Sequence, residues 1–374
     1  MSSASNTPIE RFYWLDTLRG TAALVIVVYH YHHFYLRDAF GRDAIPSIET
    51  FPYHSFVGVI YSPVASHAVE LFWLISGFVF AHVYLNRHAS FLSFGAARFA
   101  RLYPLHFLTL LLVAVIQYVS LTSVGHWQIF GNNDAPHFLL QLVMASNWTT
   151  LANGNSFNGP IWSVSIEILV YGLFFLSLAL LRRATILWSA ILSLAGWLCY
   201  LSLRDKAILL EPLVLACVGY FYLGALLYAL KPHRSLRAAA ICILLGVAFG
   251  VTGQVLDLGP LKIAALSVVL VTGATVLDQF WLKGGRRLSV LGDISYSVYL
   301  VHVPLQMLVL LGADMFLGGT RSFADSPLTL PAYVLMSVGV AFVVHRRIER
   351  PAGRAIRNRI MPQVRTARLG GGGG

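Results

Sequence analysis

Charge is scarce in this chain. Asp, Glu, Lys and Arg make up 11% of its 374 residues, against about 25% in soluble globular proteins. That shortage excludes an ordinary water-soluble domain, and the mean hydropathy of +0.69 agrees. Cysteine is almost absent. Cys199, Cys217 and Cys242 lie in apolar stretches without metal-ligand spacing, which excludes a disulfide framework and a zinc site. No Pro/Gly/Ser-rich linker separates two apolar halves, so one bundle is expected rather than two domains. No internal repeat is visible, which weighs against inverted-repeat transporter folds. Basic charge is in excess, at net +11, yet no basic patch with interleaved aromatics goes with it, so a nucleic-acid partner is not indicated.

What fills the chain is long hydrophobic runs. A spanning helix needs about 20 mostly apolar residues, and ten stretches meet that need: 14–36, 66–86, 98–120, 160–182, 185–203, 208–230, 236–256, 261–281, 292–312 and 328–348. A shorter run, 137–148, is expected to lie in the interface or re-enter. The first apolar run contains Asp16 and Arg19 and no small-residue cleavage site, so it reads as an uncleaved first helix. Of the 27 Lys and Arg residues, 20 fall on one side of the alternating loops and 6 on the other, with Arg19 inside the first helix. Short cytoplasmic loops collect Lys and Arg. The expectation is therefore an all-α polytopic membrane helix bundle of ten transmembrane helices with both termini cytoplasmic. Residues 1–13 form a cytoplasmic N-terminal segment, 14–348 the transmembrane domain, and 349–374 a basic tail ending in glycines. Two outer loops, 37–65 and 121–159, are long enough to form a cap or binding surface.

Ionisable groups inside a bilayer cost a few kcal/mol or more and are functional candidates by default. The first helix holds the densest set. Asp16 and Arg19 share a face near the cytoplasmic end, as an ion pair or as part of a site. His30 lies eleven residues beyond Arg19, about 16 Å along the same face. A guanidinium at the cytoplasmic end and an imidazole deeper in suit coenzyme A, with phosphates at one end and a thioester at the other; the alternative for His30 is a packed polar contact. The HYHH run containing His32 and His33 has no matching second cluster, so no metal is expected. In the second helix Glu70 sits a turn inside the outer face. Ser76 and Gly77 fall near mid-membrane, where Ser76 is either a nucleophile or a small packing residue. The third helix opens with Arg98 and Arg101, either positive-inside anchors or, with Arg19, a phosphate-binding cluster. In the fourth, Ser163, Glu167 and Tyr171 recur at four-residue spacing and share a face, while Ser165 points elsewhere. A buried carboxylate needs a partner, and similar depth suggests His30 for Glu167: a general base with its tautomer fixed by a carboxylate. Tyr171 and Ser76 are the hydroxyls available to an oxyanion. His302, in the ninth helix, either contacts substrate or supports structure.

The stretches LDTLRGTAALVIVVYH, ELFWLISGF, RFARLYP, GPIWSVSIE, GDISYSVYLVHVP and RRIERP, in this order from residue 15 to 351, resemble acyltransferase family 3. Its members O-acylate surface polysaccharides, lipopolysaccharide, peptidoglycan and related glycans. The resemblance implies a multi-pass enzyme of the bacterial inner membrane that takes acyl-coenzyme A, acetyl-coenzyme A first, from the cytoplasm. The acceptor it implies is a hydroxyl on a carbohydrate or lipid-linked glycan. The family's arginine-x10-histidine pattern falls on Arg19 and His30, its RxxR pattern on Arg98 and Arg101, its glutamate on Glu167 and its SYxxYLxH pattern on His302. The rival reading is an ion-coupled secondary transporter using the same intramembrane groups.

Overall fold

A chain in lipid must satisfy its backbone internally, and open segments do so by becoming helices. The computed structural model describes residues 10–87, 89–152 and 154–370; the expected N-terminal segment therefore lies outside the described residues up to position 9, as do the last four glycines of the tail. Helices carry the fold, and among the described residues only an isolated bridge, Thr149 with Leu210, replaces a sheet. They run α1 Tyr13–Tyr29, α2 His54–Tyr61, α3 Ala68–Tyr84, α4 Phe91–Val124, α5 Ala135–Leu142, α6 Ile161–Arg183, α7 Thr185–Leu203, α8 Pro212–Leu230, α9 Leu236–Val255, α10 Gly259–Phe280, α11 Leu282–Leu288, α12 Val290–Phe316, α13 Thr329–Val344 and α14 Arg350–Gly370. Nine helical stretches among the described residues are long and apolar enough to cross a membrane. Helix α1 falls outside that set, at 17 residues with Asp16 and Arg19 aboard. It continues as a 3-10 helix over His30–Tyr35, so the ten expected segments are all helical.

Small residues set the spacing between these helices. An added Cβ at Gly77 of α3 would stand 1.7 Å from the Phe221 carbonyl oxygen of α8, and one at Gly224 of α8 would stand 1.9 Å from that of Leu74. The same device joins α1 to α12: a Cβ at Gly292 would meet the Asp16 carbonyl oxygen at 2.2 Å, and one at Gly20 would meet Leu291 at 2.5 Å. With lipid on the outside, close backbone approach supplies the dispersion energy that holds such helices together.

Pro104 and Pro304 lie inside α4 and α12, and each carbonyl they free finds company. Pro304 in α12 cannot donate to Leu300, whose oxygen instead accepts from Asn158 Nδ2 at 3.0 Å. Pro104 in α4 likewise leaves the Ala100 carbonyl, and Gly353 of α14 packs against it.

The structure departs from or sharpens the sequence reading in three places. Helix α4 starts at Phe91, capped by Ser90, and stops at Gly125 with φ of 82°, so it outruns its apolar window at both ends. Within the long segment after it, run 137–148 takes the re-entrant alternative rather than the interfacial one: the Gln141 carbonyl accepts from His106 Nε2 at 2.7 Å, about halfway along α4, and Gln141 Nε2 donates to Ser156 O at 2.7 Å. This re-entrant cap returns to α6, where Ser165 Oγ accepts from the Asn147 N–H at 3.1 Å. Finally, the basic tail is α14, docked on α4. Gly77→Leu is expected to lower the melting temperature in detergent markedly, since overpacking costs about 1–3 kcal/mol or more. Gly339→Ala, where a Cβ meets nothing within 4 Å, should leave it unchanged or raise it.

Candidate active site

Three charged residues of the sequence reading come together at the basic end of the bundle. Arg19 Nη2 donates to the Gly292 carbonyl at 2.7 Å and pairs with Asp16 Oδ1 at 3.0 Å, while its Nε donates to Ser295 Oγ at 3.1 Å. Asp16 also binds Arg11 at 2.7 Å, and Arg11 reaches Asp293 at 2.7 Å. The close approach of α1 and α12 at Gly20 and Gly292 brings Arg19 within reach of a main-chain oxygen.

Arg98 and Arg101 stand on the facing wall. The Arg98 guanidinium lies 4.8 Å from the Phe80 ring centroid and 5.9 Å from that of Tyr84. Its Nε is buried without a hydrogen-bond partner. Arg101 is close enough to Arg19 to repel it. No ion pair neutralises Arg98 or Arg101 among the described residues.

All three arginines line one cavity, together with Ser76, Ser163, Glu167, Tyr171 and Tyr299. The four-residue periodicity of α6 is thus borne out: Ser163, Glu167 and Tyr171 share the wall. Glu167 is buried, and its Oε1 has no hydrogen-bond partner; its polar neighbours are the Ser76 and Tyr171 hydroxyls and, further off, Arg101 and Arg98. The same arginines also line a wider vestibule with Arg11, Asp16, Asp293, Glu349, Arg350 and Arg357. Cavity and vestibule share Val79 besides the arginines, so they adjoin.

His30 is elsewhere. It does not line this cavity, and no bond joins it to Glu167 among the described residues, so the expected His30–Glu167 couple is corrected. Its Nδ1 lies 3.0 Å from His302 Nε2 instead, with the rings stacked at 5.1 Å. The tautomers follow from the partners. His302 Nδ1 lies 3.1 Å from the Val298 carbonyl and must donate to it. Its Nε2 is then an acceptor, so His30 Nδ1 donates and His30 Nε2 keeps a free lone pair. Gln306 holds the ring's backbone, donating to the His30 carbonyl at 2.7 Å, and its Oε1 meets His33 Nδ1 at 3.1 Å. His302 is fully buried while His30 is partly exposed. Between His302 and the cavity stands Tyr299, 5.9 Å away ring to ring, its hydroxyl 2.8 Å from Ser163 Oγ. A Tyr299–His302 layer therefore stands between the arginine cavity and His30, although Arg19 and His30 were expected on one face of the first helix.

Glu70 is apart from both, in the first turn of α3 with its Oε1 2.9 Å from His67 Nδ1. Sequence reasoning missed Tyr299 and Ser295; both lie in the GDISYSVYLVHVP stretch, at spacings from His302 that put Tyr299 one turn away.

The fold and the comparisons together define a multi-pass membrane enzyme of acyl transfer. The chain belongs to acyltransferase family 3: the family model, described as an acyltransferase domain, matches residues 12–346. It is similar to acyltransferase MdmB of Streptomyces mycarofaciens, 29% identical over 79% of this chain and 83% of that protein. Protein 2 in the picA locus of Rhizobium radiobacter is 34% identical over 44% of this chain and 82% of its own length. The exopolysaccharide production protein ExoZ of Rhizobium meliloti is 27% identical over 79% of this chain and 92% of its own. No solved structure matches the chain.

If the bonding pattern fixes the tautomers as assigned, histidines labelled with nitrogen-15 should show His302 protonated at Nδ1 and His30 bearing its proton at Nδ1. A His30 ring protonated at Nε2 would break that assignment.

Proposed function

We propose that this protein transfers an acyl group, acetyl first, from acyl-coenzyme A to a hydroxyl of a carbohydrate or lipid-linked glycan. The basic end of the bundle faces the cytoplasm of a bacterial inner membrane in this reading, as the Lys and Arg distribution supports. One observation carries it: unneutralised Arg98 and Arg101, with Arg19, face a cavity that adjoins an open vestibule. Guanidiniums that line a cavity without an ion-pair partner call for an anion, and the donor's phosphates supply one. Glycan as acceptor is supported by the exopolysaccharide relative.

The chemistry then runs as follows. The arginines hold the phosphates, and the pantetheine arm carries the thioester toward Ser163 and Tyr299. The acceptor comes from the opposite end, where His30 is partly exposed. His30 Nε2 takes the hydroxyl proton as the oxygen attacks the thioester carbonyl. The C–S bond breaks, the thiolate takes the proton from the imidazolium, and free coenzyme A leaves. His302 is the positioning residue, since its acceptor Nε2 aims the basic nitrogen of His30 outward. For donor and base to meet, the Tyr299 side chain has to swing from Ser163. Glu167, with Tyr171 and Ser76, steadies the arginines and the donor in the cavity. General base catalysis typically contributes about 10²–10⁴ in rate.

His30→Ala should abolish transfer while acyl-coenzyme A still binds; retained turnover would remove His30 from the mechanism. His302→Phe should cut kcat by about 10²-fold with donor affinity kept, and an unchanged kcat would reduce His302 to packing. Arg98→Gln with Arg101→Gln should weaken donor binding at least tenfold, measured by equilibrium binding to protein in detergent. Unaltered affinity would refute the phosphate role.

A further inference from the structure

The vestibule wall includes a segment that the sequence presents only as a basic tail. Between α13 and α14 the chain makes a turn of π-helix, His345–Glu349. Glu349 is buried there, accepting from Ser297 Oγ at 2.6 Å, with His345 Nδ1 at 3.0 Å. Its charge is spent on fastening this turn to α12. One turn further, Gly353 lies against the Ala100 carbonyl, where an added Cβ would come within 2.6 Å. That carbonyl is the one Pro104 leaves without a helical donor. These two contacts dock α14 beside Arg98 and Arg101.

Arg350 and Arg357 are seven residues apart, two turns along one face, and both line the vestibule. Neither has an ion pair among the described residues. The acids nearby are taken: Asp16 by Arg11 and Arg19, Asp293 by Arg11, Glu349 by Ser297 and His345. Glu10 is the remaining carboxylate on the wall. The vestibule therefore carries unneutralised guanidiniums at two levels, Arg98 and Arg101 where it adjoins the inner cavity and Arg350 and Arg357 on the tail helix.

The geometry points to a second anion subsite on α14, in which Arg350 and Arg357 bind the 3′-phosphate of the donor's nucleotide while the inner arginines take its pyrophosphate. This rests on the donor reading above. A thioester carrier with one phosphate group would leave one of the two levels unmatched; a nucleotide carrier with phosphates on both sides of its ribose matches both. Gly353 then matters because it sets the depth at which the tail helix seats.

The test uses the full chain in detergent with acetyl-coenzyme A and acetyl-dephospho-coenzyme A, which differ only in the 3′-phosphate. Wild-type protein is expected to show a KM about tenfold or more lower for the phosphorylated donor. The double variant Arg350→Gln, Arg357→Gln should lose that preference by a rise in KM for acetyl-coenzyme A, with kcat kept. Arg354→Gln, on the same helix but off the vestibule wall, should change neither. If the double variant is recovered poorly, Arg350→Lys and Arg357→Lys, which keep the charge, should each retain most of the preference. Wild-type protein that treats both donors alike, or a double variant that still discriminates, would overturn the subsite. Wild-type protein that uses neither donor would overturn the donor assignment beneath it.

Discussion

Guanidinium groups without ion-pair partners, placed where a cavity in the helix bundle adjoins its vestibule, are the constraint around which the rest of this structure is arranged. A charge within the bilayer costs a few kcal/mol or more unless something compensates it. Arg98 is compensated only in part, by the Phe80 and Tyr84 ring faces and by the more distant Glu167. A structural ion pair would look different, and Arg19 supplies the contrast: it is tied by Asp16, Ser295 and the Gly292 carbonyl. The same cavity thus holds one arginine bonded into the fold and two left open toward the vestibule.

Close helix packing is what keeps that arrangement in place. The glycine contacts between α1 and α12 bring Arg19 to a main-chain oxygen, and those between α3 and α8 seat Ser76 against the cavity. Prolines contribute through the carbonyls they release. Asn158 closes the gap opened by Pro304 next to His302, and Gly353 covers the one opened by Pro104 next to Arg101. On the proposed reading, the two freed carbonyls sit at the two working ends of the enzyme, acceptor side and donor side. A proton-relay transporter would share the buried histidines, but membership of the acyltransferase family and a vestibule with surplus positive charge both favour transfer chemistry.

Much of this was legible before any coordinates. Hydropathy gave all ten long segments, because lipid leaves the backbone no alternative to helix, and four-residue spacing correctly put Ser163, Glu167 and Tyr171 on one wall. Arg98 and Arg101 met Arg19 as their shared position at the basic end suggested. Depth along the helices, by contrast, misled the pairing of His30. Two residues at similar depth need not face each other, and rotation about the axis depends on neighbours such as Gly20 and Gly292 that a linear pattern does not reveal. His30 and His302 are 272 positions apart, so nothing local marks them as partners. The short run 137–148 was legible as interfacial or re-entrant, but its place was not: its backbone is satisfied by His106 and Ser165 on other helices, and such bonds leave no periodic trace. The role of α14 was hidden because arginines after the last span look the same whether they anchor the helix or face a vestibule.

The central claim is that the open arginines exist to hold the phosphates of the acyl donor's carrier. Equilibrium binding of coenzyme A and of pantetheine, which keeps the thiol arm but has no phosphate, to the purified protein tests it most directly. The account predicts that coenzyme A binds and pantetheine binds at least a hundredfold more weakly, with the gap shrinking as salt is raised. Equal affinity for the two at every ionic strength would contradict it.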